Sequence, residues 1–201
     1  MKTRQLGMLV AMISMSLAQG ALADELRLGE PGYAGSGCPA GSVSAVLSPD
    51  QKTLSVLFDS YVAEAGGSSG NTIDRKNCTL AIPVHVPQGF SVSLYKVDYR
   101  GYTYVPRGAN AQFNVEYFFA GYRGPRGQRS FNGPVDSEYL ISNDIAVGAL
   151  VWSPCGADTN LRINSAMTAR TNARREQVMA TVDSTDVRSS MLYHIAWQRC
   201  R

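Results

Sequence analysis

Apolar and polar side chains alternate along most of this chain, and a period of two residues is typical of half-buried β-strands. The clearest case is the segment 111–119, where apolar side chains take every second position: Phe113, Val115, Tyr117 and Phe119. Helix signals are scarce, and only residues 171–179 could hold a short helix. This pattern predicts an all-β protein, a single-domain antiparallel β-sandwich or jelly-roll-like fold of about nine or ten strands.

Two local features refine the predicted strands. A Ser-Pro-Asp turn at residues 48–50 predicts a hairpin between strands at 42–47 and 53–58. Further along, the apolar series jumps by one residue between Leu94 and Tyr95. Such a change of phase predicts a β-bulge at that point.

The N-terminal 23 residues differ in character from the rest of the chain. Lys2 and Arg4 precede an apolar run from Leu6 to Leu17, and the segment then ends in Ala21-Leu22-Ala23, with small residues at both outer positions. This pattern is typical of a cleaved secretory signal peptide. The run is too short to cross a bilayer, and no stop-transfer segment follows it. We therefore expect residues 1–23 to be a signal peptide and the protein to be secreted or periplasmic, with no stable membrane insertion after cleavage.

Four cysteines follow this segment, and an even number in an exported chain predicts two disulfides. The cysteines are Cys38, Cys78, Cys155 and Cys200. There is no Cys-x-x-Cys pair, and neither histidine, His85 or His194, lies within five residues of a cysteine, so we expect no metal site and no cofactor. Of the three possible pairings we favour Cys38 with Cys78 and Cys155 with Cys200. Each would close a loop of about forty residues and tie down one end of the chain.

No linker divides the chain, and residues 38–201 are expected to form one β-sandwich domain. Residues 24–37 contain four glycines and few apolar side chains, so we expect a loosely ordered N-terminal arm there. Pro83 lies in a predicted strand at about 79–86, and proline cannot donate to a strand ladder. That strand is therefore expected at a sheet edge or with a bulge.

The charge balance restricts the class of partner. The chain has 19 basic and 16 acidic residues, and the expected signal peptide holds two of the basic ones, which leaves 17 against 16, or +1. So small a surplus does not support nucleic-acid binding through many phosphate contacts unless the charge is strongly clustered. We therefore expect no nucleic-acid partner.

Tyrosine and arginine are concentrated between residues 95 and 129, and these residue types dominate the energetics of binding interfaces. We expect the contact face here, for an extracellular glycan or protein. The candidate residues are Tyr99, Arg100, Tyr102, Tyr104, Tyr122, Arg123 and Arg126. The competing interpretation places half of the tyrosines in the core and treats 121–127 as a solvated loop. Tyr102 and Tyr104 are the pair expected to be exposed.

No constellation of catalytic residues is visible, which favours a non-catalytic binding protein over an enzyme. One alternative is a hydrolase of extracellular polysaccharides, which would need two carboxylates about 5–10 Å apart in a cleft. The candidate acids are Asp98, Glu116, Asp136, Glu138 and Asp144. The third possibility is a secreted inhibitor or effector, with 66–70 or 121–129 as its protruding loop.

Several short motifs occur in a fixed order along the chain. They are Gly35-Ser36-Gly37-Cys38-Pro39, Arg75 before Asn77-Cys78, Pro87-Gln88-Gly89-Phe90, Asp98-Tyr99-Arg100-Gly101-Tyr102, Ser153-Pro154-Cys155-Gly156, Leu161-Arg162-Ile163-Asn164 and Trp197-Gln198-Arg199-Cys200. In this order and spacing the chain resembles a family of small secreted four-cysteine proteins of unknown function from bacteria and fungi. The resemblance implies an exported, β-rich single domain with structural cysteines, and it supplies no catalytic or binding residues.

Overall fold

The computed structural model describes residues 25–182 and 191–200, and the expected signal peptide lies outside this part. Thirteen strands and two short 3₁₀ helices, Gly67–Ser69 and Val147–Ala149, occur in it. The strands are β1 Arg27–Leu28, β2 Gly32–Ala34, β3 Val43–Leu47, β4 Thr53–Phe58, β5 Val62–Ala65, β6 Ile73–His85, β7 Phe90–Val105, β8 Asn110–Phe119, β9 Arg126–Asn132, β10 Val135–Asp144, β11 Thr159–Arg170, β12 Val178–Thr181 and β13 Met191–Arg199.

The strands form two antiparallel sheets. Sheet A has six strands in the order β1-β6-β11-β8-β9, with β2 also paired to β6. Sheet B has seven strands in the order β3-β4-β13-β7-β12-β5, with β10 paired to β7. The fold is therefore an all-β antiparallel sandwich, as the period-two pattern predicts.

The core lies between the two sheets and consists of the inward-facing residues of each strand. Aromatic pairs connect the sheets: the rings of Tyr99 in β7 and Phe113 in β8 meet edge to face with centroids 5.2 Å apart. Phe131 in β9 and Tyr139 in β10 pack at 4.9 Å. Such ring contacts stabilise a core beyond the area they bury.

Both local predictions about the strands are confirmed. β3 and β4 form the hairpin, with Val43 opposite Phe58. The partner of β13 changes from Lys96 to Leu94 between two consecutive residues, so Tyr95 is the additional residue of a bulge. The carbonyl of Tyr95 instead accepts the N–H of Ile145 at 2.9 Å.

The structure corrects the expectation of a loosely ordered arm at residues 24–37. β1 and β2 pair with β6, and Leu26 is only 2% exposed. β6 is consequently not an edge strand. Pro83 lies opposite Gly29, in the gap between β1 and β2, where its carbonyl accepts the Gly29 N–H at 2.8 Å. Strand pairing uses backbone groups, so the arm needs few apolar side chains to form it.

The region 171–177 also differs from expectation, because it forms a turn before β12 and not a helix. The cause is local: the side-chain oxygen of Asn172 accepts the N–H groups of Arg174 and Glu176 at 3.1 and 3.2 Å. An asparagine side chain that binds nearby backbone donors favours a turn over a helix.

The predicted disulfide pairing is confirmed. Cys38 bonds Cys78 across a sequence separation of 40 residues, and Cys155 bonds Cys200 across 45. The first pair is buried inside the sandwich at 1% exposure for each residue. The second joins the loop before β11 to the end of β13, with Cys155 exposed to solvent.

Candidate functional site

Alternation along β7 separates the predicted contact residues. Arg100, Tyr102 and Tyr104 face outward on sheet B, whereas Tyr99 faces inward and is fully buried. Burial raises the pKa of the Tyr99 phenol far above its ordinary value because the phenolate would be desolvated. The expectation that Tyr99 contacts a partner is therefore wrong, because its ring is part of the core.

The remaining candidates occupy three separate places. Tyr104 is 40% exposed on sheet B, and the Tyr102 hydroxyl donates to Asp136 on the adjacent strand at 2.5 Å. Tyr122 and Arg123 lie in the exposed turn between β8 and β9. Arg126 begins β9 and faces outward on sheet A. These residues do not form one continuous surface.

Asp98 anchors a polar cluster on sheet B. It is 8% exposed, and its carboxylate contacts Nε2 of His194 at 2.8 Å and accepts the hydroxyl proton of Ser142. The serine hydroxyl is directed to the carboxylate, so the imidazole is not placed to remove its proton. The arrangement thus differs from the serine–histidine contact that activates a nucleophile.

The five acids considered for hydrolysis are divided between opposite faces of the sandwich. Glu116 faces outward from sheet A, whereas the other four face outward from sheet B: Asp98, Asp136, Glu138 and Asp144. A pair that includes Glu116 therefore has the full thickness of the sandwich between its members. Glu116 lines a concave surface on sheet A.

That concave surface is a groove of about 580 Å³ on the outer face of sheet A. It crosses β6, β11, β8 and β9, and two rows of residues in cross-strand register form it. One row is Asn77, Ala166, Asn114 and Gln128, and the next is Thr79, Asn164, Glu116 and Arg126. Ala166 has the smallest side chain of its row and is buried, so it forms part of the floor of the groove between the longer side chains beside it.

The N-terminal arm holds one side of this polar groove in place. Ser36 Oγ donates to the Asn77 amide oxygen at 3.1 Å and accepts the Asn77 N–H at 3.2 Å. The preceding Gly35 has a φ of 149°, and a Cβ there would lie 2.1 Å from the Asn77 carbonyl oxygen. Glycine at 35 and the neighbouring Cys38–Cys78 disulfide therefore allow the arm to approach β6 closely and orient Asn77.

A salt bridge occupies the opposite side of the groove. The Arg126 guanidinium contacts Glu116 Oε1 through both Nε and an Nη atom, each at 3.1 Å. The Glu116 side chain is 25% exposed and that of Arg126 is 78% exposed, so both remain accessible to a ligand. The amides, the hydroxyl and this ion pair together offer hydrogen-bond donors and acceptors over the length of the groove.

Sequence reasoning missed this groove apart from Arg126 and Glu116. The usable signal was the series of amides at outward positions of different strands: Asn77, Asn114, Gln128 and Asn164. The strands that carry them are far apart in sequence, and only their register brings the amides together. Read singly, each amide is indistinguishable from an ordinary solvated position.

Within residues 25–182 and 191–200, no helix has the length and apolar character needed to span a membrane. The observations define a disulfide-linked β-sandwich with a polar groove on one sheet and an aspartate–histidine cluster on the other. The chain belongs to the family described as Domain of unknown function (DUF4360), which matches residues 24–200. This result confirms the resemblance found in the sequence motifs.

A relative in Arthroderma benhamiae, described as an uncharacterized secreted protein, is 36% identical over 169 residues. The match covers 84% of this chain and 69% of the relative. Together with the two disulfides, which require an oxidising compartment, this relationship identifies the protein as an exported one.

Among solved structures, TmCBM61 in complex with beta-1,4-galactotriose is matched with a TM-score of 0.27 and 12% identity. The match covers 85% of this chain and 88% of that chain.

Proposed function

We propose that this protein is a non-catalytic, extracellular glycan-binding protein and that the polar groove of sheet A is its contact surface. The single observation that carries the proposal is the density of hydrogen-bonding side chains in a concave site of about 580 Å³. This volume lies within the range of about 300–1,000 Å³ that is usual for ligand-binding clefts.

Amide side chains suit a polyhydroxylated ligand. Each Asn or Gln side chain has two donors and an acceptor, and a sugar hydroxyl likewise donates and accepts. Asn114 and Asn164 are half-buried at the centre of the groove, so part of their desolvation is already complete before a ligand arrives. A sugar whose hydroxyls pair with both the donors and the acceptors of these amides therefore gains more binding free energy than a ligand that reaches them with a single hydroxyl.

A peptide ligand fits this surface less well. Peptides that join sheets use a free strand edge, whereas the backbones of β6, β11 and β8 are paired on both sides. None of the described residues that line the groove carries an aromatic ring, although such rings dominate protein–protein hot spots. A ligand in the groove therefore contacts the polar side chains on the face of the sheet and not the backbone of a strand edge.

The role is proposed to be non-catalytic because the described lining of the groove supplies one carboxylate and not two. Most glycoside hydrolases place two carboxyl groups on either side of the scissile bond. Among the described residues that line the groove, Glu116 is the only acid, and Arg126 neutralises it.

Glycan binding is tested by affinity gel electrophoresis of the purified protein in gels that contain β-glucan, xylan, galactomannan or polygalacturonate. We expect retardation by at least one polymer. The double variant Asn114→Ala/Asn164→Ala should abolish the retardation. The matched control is Gln198→Ala, which removes an exposed amide from sheet B.

The opposite face supplies the competing result. Tyr102→Ala/Tyr104→Ala removes two outward-facing rings from sheet B and should leave retardation unchanged. If this tyrosine variant lost binding and the asparagine variant bound normally, the groove would not be the contact surface, and the contact would be assigned to sheet B. No retardation of the folded wild-type protein by any of these polymers would also overturn the proposal.

A further inference from the structure

We infer that the ligand of the groove is an acidic polysaccharide, a linear polymer whose sugar rings carry carboxylates. This inference rests on the proposed function and deepens it by assigning the charge of the ligand. Without the expected signal peptide the net charge of the chain is +1, which does not indicate an acidic ligand. The distribution of charge over the two faces of the sandwich indicates one.

The two faces of the sandwich have opposite charge. Outward positions of β6, β11, β8 and β9 hold four arginines and one carboxylate: Arg75, Arg126, Arg162, Arg170 and Glu116. Outward positions of β7 and β10 hold four carboxylates and two cations: Asp98, Asp136, Glu138, Asp144, Lys96 and Arg100. A polyanion is therefore attracted to sheet A and repelled from sheet B.

Among the described residues, no carboxylate forms a salt bridge with three of the four arginines: Arg75, Arg162 and Arg170. Each of these side chains is exposed. The fourth, Arg126, is already paired with Glu116. These guanidinium groups can each donate two parallel hydrogen bonds to a ligand carboxylate in a bidentate geometry.

One of these three arginines lies in the groove and two flank it. Arg75 lines the groove directly and is two residues from Asn77 on the same face of β6. Arg162 and Arg170 lie on β11 on either side of Asn164 and Ala166, so they flank the groove where it crosses this strand. The rise of a strand puts these two arginines about 26 Å apart along β11. An extended acidic chain that lies over β11 would reach both cations and present its hydroxyls to the amides of the groove between them.

A nucleic acid is a poorer match to the same cations. Single strands bind proteins largely through stacking on aromatic side chains, and the groove offers hydroxyl and amide partners in their place. Four arginines also provide few phosphate contacts for a duplex-binding protein. Single-stranded DNA is therefore titrated alongside the polysaccharides, and its preferential binding would overturn the inference.

The test compares polygalacturonate with its methyl-esterified form, since esterification removes the charge and keeps the sugar backbone. Binding is measured by isothermal titration calorimetry on wild-type protein and on Arg75→Gln/Arg162→Gln/Arg170→Gln. We expect the acidic polymer to bind about tenfold or more tightly than the ester, because each charged contact is worth about this factor. Salt at about 0.5 M should remove most of that advantage. The triple variant should lose the preference and retain the weak binding of the ester.

Two further variants make the result specific. Arg199→Gln removes an equivalent exposed charge from the end of β13 in sheet B and should leave both affinities unchanged. Glu116→Gln frees Arg126 and should strengthen binding of the acidic polymer alone. Circular dichroism and thermal melts establish that each variant is folded.

The failures of the two proposals are distinguishable. If the acidic and esterified polymers bound equally and Asn114→Ala/Asn164→Ala abolished both, the inference of an acidic ligand would fail and the proposal of glycan binding would stand. Preferential binding of single-stranded DNA over polygalacturonate would overturn the inference that the ligand is an acidic polysaccharide. No binding of any polysaccharide, charged or neutral, would overturn both.

Discussion

The hydroxyl of Tyr61 donates a hydrogen bond to Oγ of Ser165 across 3.0 Å in the interior of the sandwich. Tyr61 lies between β4 and β5 of sheet B, and Ser165 belongs to β11 of sheet A. Ser165 in turn donates to the carbonyl of Cys78 at 3.3 Å. A buried polar chain thus joins the two sheets to the first disulfide, directly beneath the polar groove.

The first prediction concerns this link. Tyr61→Phe removes the hydroxyl and keeps the ring, so the free energy of unfolding should fall by about 1–2 kcal/mol in urea denaturation. Ser165 still donates to the carbonyl of Cys78, so binding of a glycan in the groove should persist. The control is Tyr193→Phe: its equally buried hydroxyl donates to Met191 Sδ at 3.0 Å, a weak acceptor, so its loss should be smaller. A Tyr61→Phe protein as stable as wild type would contradict the role of this link.

The second prediction concerns the order in which the disulfides are reduced. Thiol–disulfide exchange requires access to sulfur. Cys38 and Cys78 are each 1% exposed, whereas Cys155 is exposed and Cys200 is half-buried. Limiting dithiothreitol under native conditions should therefore reduce the Cys155–Cys200 bond first. Alkylation followed by peptide mass spectrometry identifies the free thiols.

Urea provides the control for that experiment, because in the unfolded chain burial no longer protects either bond and the two should be reduced at similar rates. Earlier labelling of Cys38 and Cys78 in the native protein would contradict the burial argument.

The fold was more predictable from sequence than the groove, for a physical reason. Burial follows the alternation within one strand, so local patterns sufficed for the hairpin at 48–50 and the bulge at Tyr95. The same rule could have placed Tyr99 in the core, since Val97 and Val105 share its phase; the richness of the stretch in tyrosine suggested exposure instead. Alternation is thus a better guide than composition.

Two other features depended on pairing between distant segments. The arm forms the edge strands β1 and β2 because the backbone of β6 is free to pair with it. The side chains of the arm show no pattern from which this pairing could be predicted. The groove likewise requires that Asn77, Asn114 and Asn164 lie on neighbouring strands. Only register reveals such a site, so a single sequence predicts the layers of this protein better than its contact surface.

The third prediction concerns Asp98. Burial raises the pKa of this carboxyl, but hydrogen bonds from Ser142 and His194, with the Lys96 charge at 3.5 Å, outweigh burial and hold the pKa below its ordinary value. Its contribution to stability is therefore present at neutral pH and is lost as pH falls through the lowered pKa. Asp98→Asn should lower the free energy of unfolding by about 1–3 kcal/mol at neutral pH.

Urea midpoints at neutral and strongly acidic pH test this behaviour. The difference between wild type and Asp98→Asn should shrink in acid, since the wild-type carboxyl is then also neutral. Asp136→Asn is the matched control, because Asp136 is exposed and its partner Tyr102 is at the surface. A difference that stays constant across the pH range would show that the charge of Asp98 is irrelevant to stability.

The fourth prediction follows from the buried tyrosines. Burial raises the pKa of four phenols well above the ordinary value: Tyr61, Tyr99, Tyr139 and Tyr193. A raised pKa means that this contribution to stability is complete below the ordinary tyrosine pKa of about 10 and declines as the pH rises above it. Alkaline titration at the phenolate absorbance band should therefore show a cooperative step above that pH, in which the four buried phenols ionise together as the sandwich unfolds. Far-UV circular dichroism should lose the sheet signal in the same step. Tyr99→Phe should reduce the absorbance amplitude of this step, whereas a gradual rise with no cooperative step would be incompatible with this core.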